Sequence, residues 1–214
     1  MLDTNSLISS LGGELTPAAP LRPPLRRALL WLMLVGVVAA LAVTHFARLE
    51  IFMRRMEAPR VALENLSALL TGVVSITAAF YLSLPDRSAL WRYAPLPPLL
   101  LWVACSGLGC LQNGSGMGPA GARLGESPHC FEFILIISIP LGILLFAVLR
   151  RARPLAPLPV ALCGALGVGA LAAFVLQFFH PFEVTVVDLA LHALAVAVTV
   201  GLAALVRVRA LASV

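Results

Sequence analysis

The sequence of 214 residues contains no lysine and little charge of either sign. Only 12% of its residues are charged and 60% are hydrophobic, whereas a soluble domain carries roughly 25% charged residues. So few charges cannot solvate the surface of a folded soluble protein. Such a high apolar content also excludes an intrinsically disordered chain. The composition therefore predicts a membrane protein.

Six long apolar runs, each bounded by Arg, Pro, Gly or His, divide the sequence. A helix needs roughly 20 apolar residues to cross a hydrocarbon core of about 30 Å. The runs that approach or exceed this length are Leu25–Phe46, Val61–Leu84, Tyr93–Gln112, Cys130–Leu149, Pro157–Phe179 and Val184–Val206. They predict an all-α, polytopic membrane protein with six transmembrane helices.

The distribution of arginine predicts the orientation of these helices. If the N-terminus is inside, ten of the 15 arginines lie in inner segments: Arg22, Arg26, Arg27, Arg87, Arg92, Arg150, Arg151, Arg153, Arg207 and Arg209. The remaining five lie in outer loops: Arg48, Arg54, Arg55, Arg60 and Arg123. Because cytoplasmic loops carry an excess of positive charge, both termini are expected in the cytoplasm. The domains are then a cytoplasmic N-terminal segment (1–24), a transmembrane domain (25–206) and a cytoplasmic tail (207–214).

The N-terminal segment combines a short apolar stripe with a proline-rich linker. Leu7, Ile8, Leu11 and Leu15 fall at roughly helical spacing. The four prolines that follow, Pro17, Pro20, Pro23 and Pro24, favour an extended linker. The stripe fits either a helix on the membrane surface or a helix that docks into the groove of a partner. Arg26 and Arg27 are expected to anchor the first membrane helix at the lipid headgroups.

Four residues at the predicted outer face form a candidate sensor. Cys110 ends the third predicted helix, and Cys130 begins the fourth, directly after His129. His180 lies in the last outer turn. Thiolate and imidazole ligands suit copper, zinc or cadmium, but no CxxC or HExxH spacing is present. The two cysteines therefore fit small packing residues, a redox pair or a metal site.

The sixth predicted helix carries ionisable residues inside the membrane. Asp188 and His192 are four residues apart and share a helix face. Such groups normally face the interior of a helix bundle. The pair is expected to link helices through a polar contact, to act as a relay, or to support the ligands of a bound metal ion. Glu132, near Cys130, is another candidate member of this polar group.

Sequence motifs of known enzyme classes are missing. The chain has no glycine-rich phosphate loop and no GxSxG nucleophile motif. We therefore expect no enzymatic activity.

A series of short motifs resembles the NrsF-like membrane anti-sigma factors over nearly the whole chain. Leu21-Arg22-Pro23-Pro24-Leu25-Arg26-Arg27 opens the first helix, and Pro85-Asp86-Arg87-Ser88 closes the second, with Trp91 following. Gly125-Glu126-Ser127 and then Cys130 lead to Ser138-Ile139-Pro140. The order and spacing of these motifs in a six-helix chain carry the resemblance.

The resemblance implies a function at the bacterial inner membrane. The protein is expected to sequester an extracytoplasmic-function sigma factor, without binding nucleic acid itself, and to release it on metal or oxidative stress. The expected partner-binding residues are Leu7, Ile8, Leu11, Leu15, Arg22, Arg26 and Arg27. Cys130 matches the family's cysteine in the outer loop, whereas His180 stands where many members have a second cysteine. The resemblance therefore leaves two options here, a pair of Cys130 with Cys110 or a Cys and His site that takes a metal ion as signal.

Two other functions fit parts of the sequence. A small transporter or channel would use Asp188 and His192 on an ion path, but no inverted repeat or pair of broken helices is visible. A thiol-dependent membrane oxidoreductase would use the cysteines, but a CxxC motif is missing.

Overall fold

The computed structural model describes residues 3–13, 21–113, 127–179, 190, 193–199 and 201. Every regular element in these residues is helical. The helices are α1 (Thr4–Gly13), α2 (Pro24–Phe46), α3 (Leu49–Met56), α4 (Pro59–Leu82), α5 (Leu96–Asn113), α6 (Ser127–Leu149) and α7 (Pro157–Leu176). Short 3-10 helices cover Ala89–Tyr93 and Arg150–Ala152, and residues 193–199 are also helical.

Four of the described helices are long and apolar enough to cross a membrane. They are α2, α4, the Phe131–Ala152 part of α6 with its extension, and α7. Three of them, α2, α4 and α7, begin with a proline, which fits the first helical turn because the amide there needs no helical partner. The all-α prediction agrees with this architecture.

The predicted third and sixth spans differ from these four. The third corresponds to α5, which has 18 residues, ends in Gln112 and Asn113 and is not one of the four. The sixth, Val184–Val206, lies largely outside the described residues, although its residues 193–199 are helical. Six spans therefore stay a prediction.

Helix α4 lies at the centre of the bundle and packs against α2, α5 and α7. Its contact with α7 depends on glycine. A Cβ atom on Gly167 would lie 2.8 Å from Cδ1 of Ile76 and 3.0 Å from the Ile76 backbone nitrogen. A side chain there would collide with α4 itself, so glycine permits the close backbone approach typical of membrane helices.

The long helices alternate in direction, which gives the bundle two ends. We call the first the Arg27 end: α2 begins there, and both the last turn of α4, near Phe80, and the last turn of α6, near Val148, contact Arg27. We call the second the Arg60 end: α4 begins there, and α5 ends beside it. Helix α6 therefore begins at the Arg60 end and finishes at the Arg27 end.

Aromatic contacts close both ends of the bundle. At the Arg60 end, Phe52 of the short helix α3 stacks on Phe178 after α7, with ring centroids 4.0 Å apart. At the Arg27 end, Tyr81 of α4 stacks on Trp91, with centroids 4.2 Å apart. These contacts hold the connecting segments against the helix ends that they join.

Candidate functional site

Helix α1 presents its apolar side chains to the surroundings. Leu7, Ile8 and Leu11 are 47%, 62% and 57% exposed, and no residue of the helix is buried. The helix begins where the Asp3 carbonyl accepts a hydrogen bond from the Leu7 amide and extends to Gly13. An apolar face that the described chain leaves uncovered can accept a partner. Leu15, the fourth residue of the predicted stripe, lies outside the described residues.

The arginines that follow α1 divide into exposed and buried members. Arg22 and Arg26 are exposed, whereas Arg27 is only 9% exposed. Nη2 of Arg27 donates a hydrogen bond of 3.1 Å to the Val148 carbonyl in the last turn of α6. Its guanidinium carbon also lies 5.2 Å from the centre of the Phe80 ring, a cation–π contact. The structure thus gives Arg27 partners within the described part of the chain, whereas Arg22 and Arg26 are exposed.

A second polar cluster joins α4 to α5 at the Arg60 end. Glu64 is buried and accepts two hydrogen bonds, one of 3.2 Å from Nη1 of Arg60 and one of 2.7 Å from Oγ of Ser106. Nη1 of Arg60 also approaches the Cys105 carbonyl at 3.5 Å. A Cβ atom on Gly109 would overlap Nη1 of Arg60. Glycine at this position therefore makes room for the guanidinium.

Sequence analysis missed this cluster. Glu64 is a carboxylate inside the predicted span Val61–Leu84, and Arg60 stands four residues before it, which is the spacing of a helical ion pair. That spacing could have indicated the pair. Nothing in the sequence singles out Ser106, because its partner belongs to another helix 42 positions away.

The predicted sensor residues are only partly placed. His129 and Cys130 lie in the first turn of α6 and Cys110 lies near the end of α5, so the backbone puts all three at the Arg60 end. Their side chains are outside the described part, as are His180, Asp188 and His192 altogether. Glu132 is exposed on the second turn of α6. Cys105 and Cys163 are buried free thiols.

The described side chains offer no metal centre. Within that part of the chain, no three His, Cys, Asp or Glu residues group closely enough to hold a metal ion. A copper, zinc or cadmium site would therefore have to include side chains outside the described part, which include those of the predicted sensor residues Cys110, His129, Cys130 and His180.

Comparison with known proteins identifies a family. No curated protein and no solved structure matches the chain. A family model described as NrsF, negative regulator of sigma F, matches residues 11–212. The matched residues include helices α2 to α7 and the arginines Arg22, Arg26 and Arg27. The chain therefore belongs to the NrsF family of negative regulators of sigma F.

Proposed function

We propose that the protein is an inner-membrane anti-sigma factor that holds an extracytoplasmic-function sigma factor at its cytoplasmic face. The family description indicates negative regulation of a sigma factor, which is a regulatory and not a catalytic role. The observation that supports a docking site is the exposed apolar face of α1. Burying a Leu or Ile side chain completely is worth about 1.5–3 kcal/mol, so this face favours association with a hydrophobic groove.

The exposed arginines at the Arg27 end complete the proposed binding surface and set its orientation. They stand at the beginning of α2, between α4 and α5, and between α6 and α7: Arg22, Arg26, Arg87, Arg92, Arg150, Arg151 and Arg153. Positive charge concentrates on the cytoplasmic side of membrane proteins. We therefore assign the Arg27 end to the cytoplasm, with six spans and both termini inside. The same charges complement an acidic patch on a protein partner.

The Arg60 end then faces the periplasm and carries the proposed sensor. Helix α5 ends there with Cys110, and α6 begins there with His129 and Cys130. The compartment is oxidising, and thiol and imidazole groups bind soft metal ions. With His180 these residues would respond to copper, zinc, cadmium or an oxidant. To weaken sigma-factor binding tenfold, the signal must favour a second helix packing by about 1.4 kcal/mol.

Co-purification tests the proposed partner. The full-length protein should capture an extracytoplasmic-function sigma factor from its host, and a form lacking residues 1–20 should lose most of this capture. The Leu7→Ser/Leu11→Ser variant should lose it as well, because it removes the apolar face of α1. Asn5→Ala/Ser9→Ala, on the opposite face of the same helix, is the matched control and should bind normally. Failure of the full-length protein to capture any sigma factor would refute the proposed function.

Replacement of cysteine tests the proposed sensor. Cells that carry Cys130→Ser should no longer induce the sigma-factor regulon when cadmium or diamide is added. Cys163→Ser, which changes a buried free thiol in α7, should induce normally. Normal induction in the Cys130→Ser strain would remove Cys130 from the sensor while leaving the anti-sigma function in place.

A further inference from the structure

Two adjacent arginines at the start of α2 occupy opposite environments. Arg26 is exposed, whereas Arg27 is buried and bonded to the last turn of α6. Both belong to the first turn of α2, which begins at Pro24 and follows Pro23. The position of Arg27 therefore sets where the N-terminal segment leaves the bundle.

The partner of Arg27 lies on the helix that connects the two ends of the molecule. Helix α6 has 23 residues and is about 34 Å long at 1.5 Å per residue. Its first turn carries Cys130, and its last turn presents the Val148 carbonyl to Arg27. A shift of α6 along its axis, or a rotation about it, would move the Val148 carbonyl. It would therefore change the contact with Arg27 at the start of α2.

The hydrogen bond between Arg27 and the Val148 carbonyl can break without disrupting α6. The Val148 carbonyl belongs to the last four of α6, which have no partner within a regular helix, so the helix stays intact when Arg27 leaves it. Among the described residues Arg27 forms no ion pair, and its second terminal nitrogen, Nη1, is buried without a hydrogen-bond partner. Burying an unpaired donor is costly, so a different α6 position that supplies Nη1 with an acceptor would be stabilised.

We propose that Arg27 is a positioning residue that couples α6 to the N-terminal segment, so that movement of α6 changes how that segment holds its partner. This inference rests on the proposed function, because it assigns the regulation of the same binding surface. Arg27 does not touch the sigma factor; it acts through the placement of α2 and of the segment before it.

Coupling between two sites is reciprocal, and this property provides the test. In lipid nanodiscs, addition of the sigma factor to the full-length protein should change the rate at which N-ethylmaleimide alkylates Cys130, measured on the Cys130 peptide by mass spectrometry. We expect a change of at least about fivefold in the wild type. Arg27→Ala should abolish this response, and Arg26→Ala, the matched control, should keep it.

Two further variants separate coupling from simple stability. Arg27→Lys keeps the charge and one donor for the Val148 carbonyl and should restore part of the Cys130 response. Phe80→Leu removes the ring beside the guanidinium but leaves the hydrogen bond, so it should lower thermal stability while preserving the response. Both variants remain informative if Arg27→Ala does not fold.

The outcomes distinguish the inference from the proposed function. If the sigma factor does not bind the wild type, the proposed function fails. If it binds but Cys130 reactivity does not change, or if Arg27→Ala responds like the wild type, the coupling role of Arg27 is refuted while the proposed function stands. If Arg27→Ala does not fold, loss of the response in Phe80→Leu refutes the coupling role equally, because that variant keeps the hydrogen bond from Arg27 to Val148.

Discussion

Each end of the bundle holds an arginine against other helices, but the groups that stabilise its charge differ. At the Arg60 end, Arg60 pairs with the buried carboxylate of Glu64, four residues along the same helix. At the Arg27 end, Arg27 has a backbone carbonyl and an aromatic ring as partners. Ser106 adds a third member to the first cluster, whereas Nη1 of Arg27 lacks a described partner.

This difference predicts that the helices keep fixed positions at the Arg60 end and can move relative to one another at the Arg27 end. An ion pair with additional hydrogen bonds is strongly disrupted by the loss of one partner, so the cluster holds α4 and α5 together. A carbonyl and a ring attract a guanidinium more weakly, and neighbouring carbonyls at a helix end can replace one another. We therefore expect substitutions at the Arg60 end to affect stability and those at Arg27 to affect coupling.

The largest effect on stability is expected from Glu64→Ala. This change leaves Arg60 partly buried without its carboxylate and should lower the free energy of unfolding by about 3 kcal/mol, measured by denaturation in detergent micelles. Glu57→Ala removes an exposed carboxylate near the start of α4 and serves as the control. Equal stability of the two variants would show that the Arg60–Glu64 cluster does not hold α4 and α5 together.

Gly109→Ala should have the next largest effect. The added methyl group overlaps Nη1 of Arg60 and must displace the guanidinium, at a cost of about 2 kcal/mol. Gly107 has no atom within 4 Å of an added Cβ, so Gly107→Ala should stay within about 1 kcal/mol of the wild type. The same denaturation measurement compares them, and a Gly109→Ala protein as stable as Gly107→Ala would contradict the arrangement.

Ser106→Ala should destabilise the protein by about 1 kcal/mol, because Glu64 loses one neutral donor. Ser75→Ala is the matched control: Ser75 is also buried, and its hydroxyl has no hydrogen-bond partner among the described residues. A double-mutant cycle with Glu64→Ala measures the Glu64–Ser106 interaction directly, because alanine leaves no acceptor for the Ser106 hydroxyl. An interaction energy near zero would exclude Ser106 from the cluster.

The smallest effect is expected from Trp31→Phe at the Arg27 end. Nε1 of Trp31 is buried and has no hydrogen-bond partner in the described part of the chain. Removing this donor relieves a desolvation cost that partly offsets the smaller apolar area, so the unfolding free energy should change by less than about 1 kcal/mol. A loss as large as that of Glu64→Ala would contradict this expectation.

Sequence reasoning located the long helices better than their polar contacts. Apolar length predicted α2, α4, α6 and α7 as membrane-spanning, and the helical spacing of Leu7, Ile8 and Leu11 agrees with α1. The Arg60–Glu64 pair could have been predicted from the sequence, because both residues lie on one helix at a spacing of four. The bond from Arg27 to Val148 could not have been predicted, because its two residues are 121 positions apart and no local pattern relates them.

The apolar helices of this protein follow from its amino-acid sequence alone, because a backbone in lipid must satisfy its hydrogen bonds within each helix. Its motifs also determined the family resemblance, which the match over residues 11–212 confirms. The burial of Arg27 and the exposure of Arg26 depend instead on how the helices pack. Adjacent residues point in different directions from a helix, and the packing of α2 against α4, with the bond from Arg27 to α6, selects which of them is enclosed.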